Sequence, residues 1–331
     1  MACLAVPTVP EAAERLVQLL SGGAGELSDP NGSDLEFYPT TELRPLVRLE
    51  APPDCWAVDG GQALVADARC LQVAATRAAR TRWQGGRCTL EEVGDMAVHV
   101  LTGSGGGPEG RRSLSEMGAP TAPGAPVDLN LLRDWSEWRL VATSVEEAEP
   151  GAIVLVDGDL QPDWRIPAQW LADLLTRAAE RDVALVGIIK HSSLARGGAP
   201  LVGQLELEAE AAIGPRACWW VPVAMRRPEV GPGLLVVVAR LDPDALFAFR
   251  IDLPGDADAA QLLGQLSALA DDAGFPGYPY PLSVADRLAA CPGWAREEVW
   301  AELQSALDAA GLPEDVKERA FADRHALMER S

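Results

Sequence analysis

The sequence lacks any long apolar segment. Its longest aliphatic run is about Leu234–Val238, far short of the roughly 20 apolar residues that a membrane-spanning helix needs. No basic cluster precedes an apolar stretch near the first residue, so we expect no signal peptide. These absences predict a cytoplasmic protein without a membrane partner.

Cysteine and histidine are also scarce. The 6 cysteines stand at irregular spacings without a Cys-x-x-Cys pair, which is typical of reduced core thiols rather than of a disulfide framework. None of the 3 histidines, His99, His191 and His325, pairs with a nearby cysteine, so a zinc site is not expected. The glycine-rich run 103–110 lacks the Lys-Ser/Thr of a phosphate-binding loop and is predicted to be a hairpin or a linker.

Positive charge is limited. Lysine and arginine together number 28 against 49 acidic residues, which gives a net charge of −21. Such a balance argues against a general nucleic-acid binder, because proteins of that class usually have a basic face. One stretch departs from the balance, since Ala68–Leu90 contains five arginines and no acidic residue. That stretch is compatible with a local basic surface on an acidic protein.

The 331 residues allow one large domain or two ordinary ones, and the 48% hydrophobic content is that of a globular protein. Apolar segments of strand length occupy much of 55–101. They are followed by a predicted helix over 127–148, a strand over 152–158, a helix over 167–181 and a strand over 183–190. Three sequential strands and then two strands reached through helices are the order of an α/β ribonuclease H-like fold. Further strands and helices beyond residue 190 are predicted as additions to this mixed sheet and its flanking helices.

Acidic residues stand at informative places in this order. Catalytic ribonuclease H-like proteins carry acids at the end of the first strand, on the first helix and at the end of the fourth strand. This chain has Asp59, Glu137 and Asp157 there, and glycines follow both aspartates. Carboxylates on neighbouring strands, about 4.8 Å apart, repel each other unless a cation lies between them. Oxygen ligands of this kind suit Mg²⁺ or Mn²⁺.

Asp59, Glu137 and a further candidate, Lys190, each also have a plainer interpretation. Asp59 followed by Gly60 is typical of a hairpin turn. Glu137 is equally compatible with a solvated helix position. Lys190 ends an apolar strand segment and either contacts phosphate or extends to solvent. Four other glutamates compete for the role of the helix carboxylate, namely Glu109, Glu116, Glu146 and Glu147.

Four motifs together resemble the NurA nuclease family. They are Trp-Ala-Val-Asp-Gly-Gly at 56–61, Val-Leu-Val-Asp-Gly-Asp-Leu at 154–160, Val-Gly-Ile-Ile-Lys-His-Ser at 186–192 and the segment 277–289, which begins Gly-Tyr-Pro-Tyr-Pro. They occur in the order that the family shows. The resemblance implies an elaborated ribonuclease H-like fold and a manganese-dependent nuclease that acts on single-stranded DNA and on 5′ ends. It also implies a homodimer that works with the hexameric HerA translocase in DNA end resection.

The resemblance also implies roles for individual residues. Asp59 and Asp157 would be the strand aspartates that hold Mn²⁺, or else Mg²⁺, and Glu137 would be the helix carboxylate. Tyr278 matches the first tyrosine of the tyrosine-proline motif. Tyr278 and Lys190 would position a phosphate group or neutralise its charge.

Asp286 departs from the family pattern. Many members carry a histidine at this position, so the resemblance makes Asp286 a metal ligand of another type and leaves the acid–base role of that histidine open. We expect a helix to start near Pro281, with Ser283 as its cap and Asp286 in the first turn. A solvated acid that complements the helix dipole is the alternative.

With this resemblance the chain divides into three predicted parts. They are a helix over 10–20 within an otherwise irregular arm (1–54), a NurA-like nuclease domain (55–290) and C-terminal helices that pack on it (291–331). The amphipathic patterns over 294–310 and 314–329 are also compatible with dimerisation or translocase docking. Two other functions stay open at this point. One is an actin- or sugar-kinase-like nucleotide phosphohydrolase, which needs two duplicated halves, and the other is a catalytically inactive adaptor of a DNA motor.

Overall fold

The computed structural model describes residues 8–20, 25–30, 34–228 and 230–322. His325 and the last part of the helix predicted over 314–329 lie outside these ranges. The described strands are β1 (Leu27–Ser28), β2 (Leu35–Phe37), β3 (Arg44–Pro45), β4 (Cys55–Asp67), β5 (Leu71–Gln84), β6 (Arg87–Val93), β7 (Ala97–Thr102), β8 (Ile153–Asp157), β9 (Ala184–Ile189), β10 (Ala195–Arg196), β11 (Ala199–Pro200), β12 (Trp219–Arg226), β13 (Leu234–Arg240) and β14 (Phe249–Pro254). The described helices are α1 (Val9–Leu20), α2 (Gly107–Glu116), α3 (Leu129–Glu147), α4 (Ala168–Glu180), α5 (Leu201–Ile213), α6 (Ala259–Ser267), α7 (Tyr280–Ala289), α8 (Gly293–Ala309) and α9 (Glu314–Phe321).

Most of the described strands form one mixed sheet. From one edge inward, β6, β5, β4, β8 and β9 lie side by side in that order. The pairs β4–β5 and β5–β6 are antiparallel, whereas β8 runs parallel to β4 and β9 runs parallel to β8. The connections between the parallel strands contain α3 and α4, as crossovers of this kind require. This arrangement confirms the predicted ribonuclease H-like fold.

The sheet continues beyond β9 through the antiparallel strands β14, β13 and β12. The short strands β2 and β3 then pair with β12. They belong to the region 24–54, where the sequence predicted irregular backbone. They form because the outer edge of β12 would otherwise leave backbone hydrogen-bonding groups unpaired.

The glycine-rich run 103–110 forms a tight turn that leads into a helix, so its prediction as a hairpin is wrong. A 3₁₀ turn over Ser104–Gly106 leads directly into α2. Pro108 occupies the first turn of α2, where its missing N–H is no loss because that group has no partner within a helix. The run therefore begins a helix that contacts β7.

Two apolar cores lie on opposite faces of β4 and β8. One core contains Val58 and Val156 and lies under α3 and α4. The other contains Ala57 and Leu155 and lies under α6 and α7. Side chains alternate between the faces of a strand, so consecutive residues of β4 and β8 enter different cores.

The C-terminal helices α8 and α9 contact each other. The rings of Trp300 and Phe321 lie 5.2 Å apart, edge to face. Lys317 is buried and forms ion pairs with Asp308 and Glu314. Among the described residues, no helix combines the length and the apolar character that crossing a bilayer requires.

Candidate metal centre

The strand β4 does not turn at Asp59. It continues through Gly60 and Gly61 to Asp67 and stays paired with β5. The interpretation of Asp59 as part of a hairpin turn is therefore wrong. The pairing of β4 with β8 ends where Val58 lies opposite Val156, so Asp59 lies just where these two parallel strands separate.

Asp59 and Asp157 project from the same face of the sheet. Ala57 belongs to the core under α6 and α7, and alternation along β4 places Asp59 on that face. Leu155 belongs to the same core, and the same alternation along β8 brings Asp157, the last residue of that strand, beside Asp59. The predicted juxtaposition of two aspartates at the carboxyl ends of parallel strands is therefore present.

A third aspartate, Asp286 of α7, completes the cluster. Asp59, Asp157 and Asp286 each offer a carboxylate oxygen, and these atoms all lie within 4.8 Å of one another. Asp59 is only 6% exposed, whereas the side chain of Asp286 is 60% exposed. The carboxylate cluster is thus buried at the sheet and open to solvent at α7.

The helix α7 starts within one residue of the predicted position, but its predicted cap is wrong. The helix begins at Tyr280 after Pro279, so Ser283 lies inside it and does not cap it. Pro281 fits the first turn because a proline there gives up no helical hydrogen bond. Asp286 consequently lies beyond the first turn, where the favourable effect of the helix dipole on an acid is lost. The dipole therefore does not explain an aspartate at this position.

The glycines after Asp59 allow two elements to approach the site. A Cβ at Gly61 would collide with the carbonyl oxygen of Ala289 at the end of α7. A Cβ at Gly60 would lie 3.0 Å from Oε2 of Glu137 and 3.1 Å from its Cβ. The two glycines thus admit α7 on one face of the sheet and Glu137 of α3 on the other.

Glu137 is buried beside Asp59, so its interpretation as a solvated residue is wrong. It is 3% exposed, and Nη1 of Arg133 donates a hydrogen bond to its Oε2 over 2.9 Å. The competing glutamates lie elsewhere. Glu109, Glu146 and Glu147 form ion pairs with arginines outside the cluster, and Glu116 is exposed at the end of α2.

Burial and repulsion disfavour the charge on these acids. Burial, and then the charge of Asp157, raises the pKa of Asp59 to about 7. Burial, and then the charge of Asp59, raises the pKa of Glu137 well above its ordinary value. A cation bound between the carboxylates would lower the pKa values of Asp59 and Glu137 again, because it interacts favourably with their ionised forms.

Lys190 and Tyr278 adjoin the carboxylates. The Nζ atom of Lys190 lies 2.6 Å from Oδ2 of Asp157, 4.0 Å from Oδ1 of Asp286 and 4.9 Å from the centre of the Tyr278 ring. Burial lowers the pKa of Lys190 and the hydrogen bond to Asp157 raises it, with a net upward shift. Lys190 therefore turns toward the acids and does not simply extend to solvent. The hydroxyl of Tyr278 is buried and has no hydrogen-bond partner among the described residues.

The residues present fit a divalent cation. Three carboxylates converge from β4, β8 and α7, and their ligand oxygens lie within 4.8 Å of one another. A donor set made of carboxylate oxygens suits Mg²⁺ or Mn²⁺ and does not suit soft metals. The unpaired hydroxyl of Tyr278 supplies a further polar atom at the same place.

Sequence reasoning missed two residues that bind the backbone just after Asp157. Asp252 of β14 is fully buried and accepts a hydrogen bond from the N–H of Leu160. Nη1 of Arg226 in β12 donates a hydrogen bond to the carbonyl oxygen of Leu160. No local pattern marks these two residues, since they come from distant strands. Arg133 is different, because its spacing of four residues from Glu137 on a predicted helix was a usable signal.

Two arginines of the arginine-rich stretch, Arg77 and Arg80, make contacts within the fold. Arg80 is buried, forms ion pairs with Glu92 and Glu147, and lies over the ring of Trp56. Arg77 donates a hydrogen bond to the carbonyl of Ala290, just after α7. These arginines therefore support the sheet and α7.

Comparison with known proteins supports the fold. No protein-family model and no curated protein sequence matches this chain. Among solved structures, the NurA nuclease from Sulfolobus solfataricus is similar, with a TM-score of 0.55, 15% identity, and coverage of 91% of this chain and 94% of that one. The catalytic domain of human Endonuclease V gives a TM-score of 0.41 at 17% identity, with coverage of 79% and 85%. The similarity to the Sulfolobus solfataricus structure shows that this chain has a NurA-like fold.

Proposed function

We propose that this chain is a divalent-metal-dependent deoxyribonuclease that hydrolyses phosphodiester bonds. The observation that carries the proposal is the convergence of Asp59, Asp157 and Asp286 within 4.8 Å at the carboxyl ends of two parallel strands. Open α/β sheets bind ligands at such ends. The NurA-like fold and the four sequence motifs support the same class of reaction.

Each residue of the site has a distinct task in this proposal. Asp59, Asp157 and Asp286 hold the cation, which when bound activates water and offsets the charge of the phosphate group. Glu137 of α3 adds a carboxylate to the site from the other face of the sheet, and the hydrogen bond from Arg133 orients that carboxylate. Lys190 leaves Asp157 and approaches the phosphate, and the unpaired hydroxyl of Tyr278 donates a hydrogen bond to a phosphate oxygen.

The finer assignments rest on the resemblance to the NurA family. We propose Mn²⁺ as the preferred cofactor, with Mg²⁺ as its substitute. We propose single-stranded DNA and 5′ DNA ends as substrates, and cytoplasmic DNA end resection as the setting. A homodimer and a HerA-like hexameric translocase complete the proposal. It keeps the division into an arm, a nuclease domain over 55–290 and C-terminal helices.

The test is cleavage of labelled single-stranded and duplex DNA in Mn²⁺, in Mg²⁺ and in EDTA, with ATP turnover measured alongside. We expect cleavage in Mn²⁺, none in EDTA, and no ATP turnover. Asp59→Asn should abolish cleavage, whereas Asp244→Asn, an exposed aspartate paired with Arg216 away from the cluster, should not. ATP turnover without DNA cleavage would favour the kinase-like alternative, and neither activity would favour an inactive adaptor.

A further inference from the structure

Trp164 is an exposed aromatic residue on the loop that leaves the metal centre. It lies in the segment between β8 and α4, seven residues after Asp157. Its side chain is 76% exposed. Tryptophan buries more apolar surface than most residues when it has a partner, so nothing in the folding of this loop explains an indole in solvent.

The loop holds Trp164 firmly. Its neighbour Arg165 is buried and donates hydrogen bonds to Asp163, to Asp128 at the start of α3 and to the carbonyl of Pro126. The guanidinium carbon of Arg165 lies 5.5 Å from the centre of the Trp164 ring. The backbone that carries the indole is therefore fixed, which reduces the entropy lost when the indole binds a ligand.

The same loop is tied to neighbouring elements of the fold at two further points. Near its start, Leu160 is held by Asp252 and Arg226. Near Trp164, the N–H of Asp163 donates to Oδ2 of Asp134 over 2.7 Å. Asp134 lies on α3 one turn before Glu137. Trp164 thus lies at the same end of the sheet as the acidic cluster, because its loop follows the carboxyl end of β8, and on the face of the sheet that α3 covers.

The charge of this loop excludes one kind of contact and favours another. Asp163 and Asp128 share the single positive charge of Arg165, and Asp159 lies 3.9 Å from Arg226. The loop consequently offers no excess positive charge for a phosphate backbone. An exposed indole instead offers a flat face, on which any nucleobase can stack without regard to sequence.

We infer that Trp164 stacks on an unpaired nucleobase of a substrate bound at this end of the sheet, and so favours single-stranded nucleic acid. The inference deepens the proposed nuclease function and rests on it. Stacking needs a base that is free of its partner strand, and it fixes one nucleotide of the strand while another lies at the carboxylates. Trp164 is thus a positioning residue, and it leaves the hydrolytic step itself unchanged.

The test compares steady-state cleavage of a single-stranded oligonucleotide in Mn²⁺ by the unmodified chain, Trp164→Leu and Trp164→Phe. A lost stack weakens binding by about 5- to 100-fold. We expect Trp164→Leu to raise KM by that factor with kcat nearly unchanged, and Trp164→Phe to restore most of the loss. Leu207→Ala removes another exposed apolar side chain, 70% exposed on α5, and should leave KM unchanged.

A scan with single abasic sites separates stacking from a purely structural role. The unmodified chain should lose affinity when the missing base is at one particular position, and Trp164→Leu should lose nothing more there. An unchanged KM in Trp164→Leu, or equal losses in both proteins across the scan, would overturn the inference and leave the nuclease proposal standing. Absence of any DNA cleavage by the unmodified chain would instead overturn the proposed function, and this inference with it.

Discussion

The ammonium group of Lys190 lies 2.6 Å from Oδ2 of Asp157. In the absence of a cation, it is the positive charge nearest to this carboxylate among the described contacts, and it extends toward Asp286 as well. Lys190 and a bound cation therefore compete for Asp157. In the proposed nuclease, the same side chain would release the aspartate when a cation binds and turn to a phosphate.

Lys190→Met should consequently separate metal binding from turnover. We expect tighter Mn²⁺ binding by titration calorimetry, because no ammonium competes for Asp157, together with a kcat lowered by at least about 10-fold. Lys317→Met is the matched control, since Lys317 pairs with Asp308 and Glu314 outside the cluster. Weaker Mn²⁺ binding in Lys190→Met would show that the lysine supports the cation rather than competing with it.

Asp59→Asn and Asp157→Asn should each abolish metal-dependent cleavage, by at least about 100-fold in kcat, and leave the fold intact. Loss of the buried Asp59 carboxylate removes repulsion, so Asp59→Asn should not melt below the unmodified chain in EDTA. Asp157→Asn removes repulsion and also the ion pair with Lys190, so its melting temperature in EDTA should change little. Saturating Mn²⁺ should raise the melting temperature of the unmodified chain by several degrees, because a ligand at 100 times its Kd contributes about 2.7 kcal/mol. Thermal scans with and without Mn²⁺ check this, and an equal rise in either variant would contradict the ligand assignment.

Gly61→Ala should destabilise the protein, because the added methyl group collides with the backbone of Ala289. Overpacking of this kind costs about 1–3 kcal/mol, measured as the free energy of unfolding in urea. Gly60→Ala meets a side chain that can yield, so we expect a smaller loss of stability and a clear loss of activity as Glu137 moves. Gly203→Ala is the control, since nothing lies within 4 Å of its added Cβ on α5, and it should be neutral or slightly stabilising.

Substitution of Asp286 distinguishes a ligand from a merely exposed acid. Asp286→Ala should remove most of the Mn²⁺-dependent cleavage, while Asp286→His should retain much of it, because imidazole also binds Mn²⁺. Initial rates over a range of Mn²⁺ concentrations provide the measurement. If Asp286→Ala cleaves DNA as fast as the unmodified chain, Asp59, Asp157 and a glutamate hold the cation without it.

His99 should make stability fall in mild acid. It is buried, its Nε2 lies 2.8 Å from Oγ1 of Thr76, and burial lowers its pKa. Above about pH 6.5 the residue is neutral in both states and has no effect. As the pH falls below that value, the unfolded chain binds the proton first, so the free energy of unfolding decreases by up to about 1.4 kcal/mol per pH unit. His99→Gln should lose this part of the decrease between pH 7.5 and 5.5, and parallel curves for both proteins would refute the prediction.

Local pattern alone determined much of this protein. The order of strands and helices predicted the ribonuclease H-like sheet, because apolar periodicity reports which elements are buried and on how many faces. The same logic placed Asp59 and Asp157 together, since the carboxyl ends of neighbouring parallel strands meet at one edge of a sheet. The motif at 277–289 added Asp286 through a family resemblance.

Tertiary structure decided the rest, because those features depend on packing between distant segments. Asp59 followed by glycine has the local signature of a turn, yet β4 continues since β5 pairs with it along its length. Glu137 reaches the site from the opposite face, and only the close approach at Gly60 makes room for it. Local sequence likewise cannot reveal that the charge of Arg80 is paired with Glu92 and Glu147. A residue's partners across the fold, rather than its neighbours in the chain, determine whether its charge stays available for a ligand.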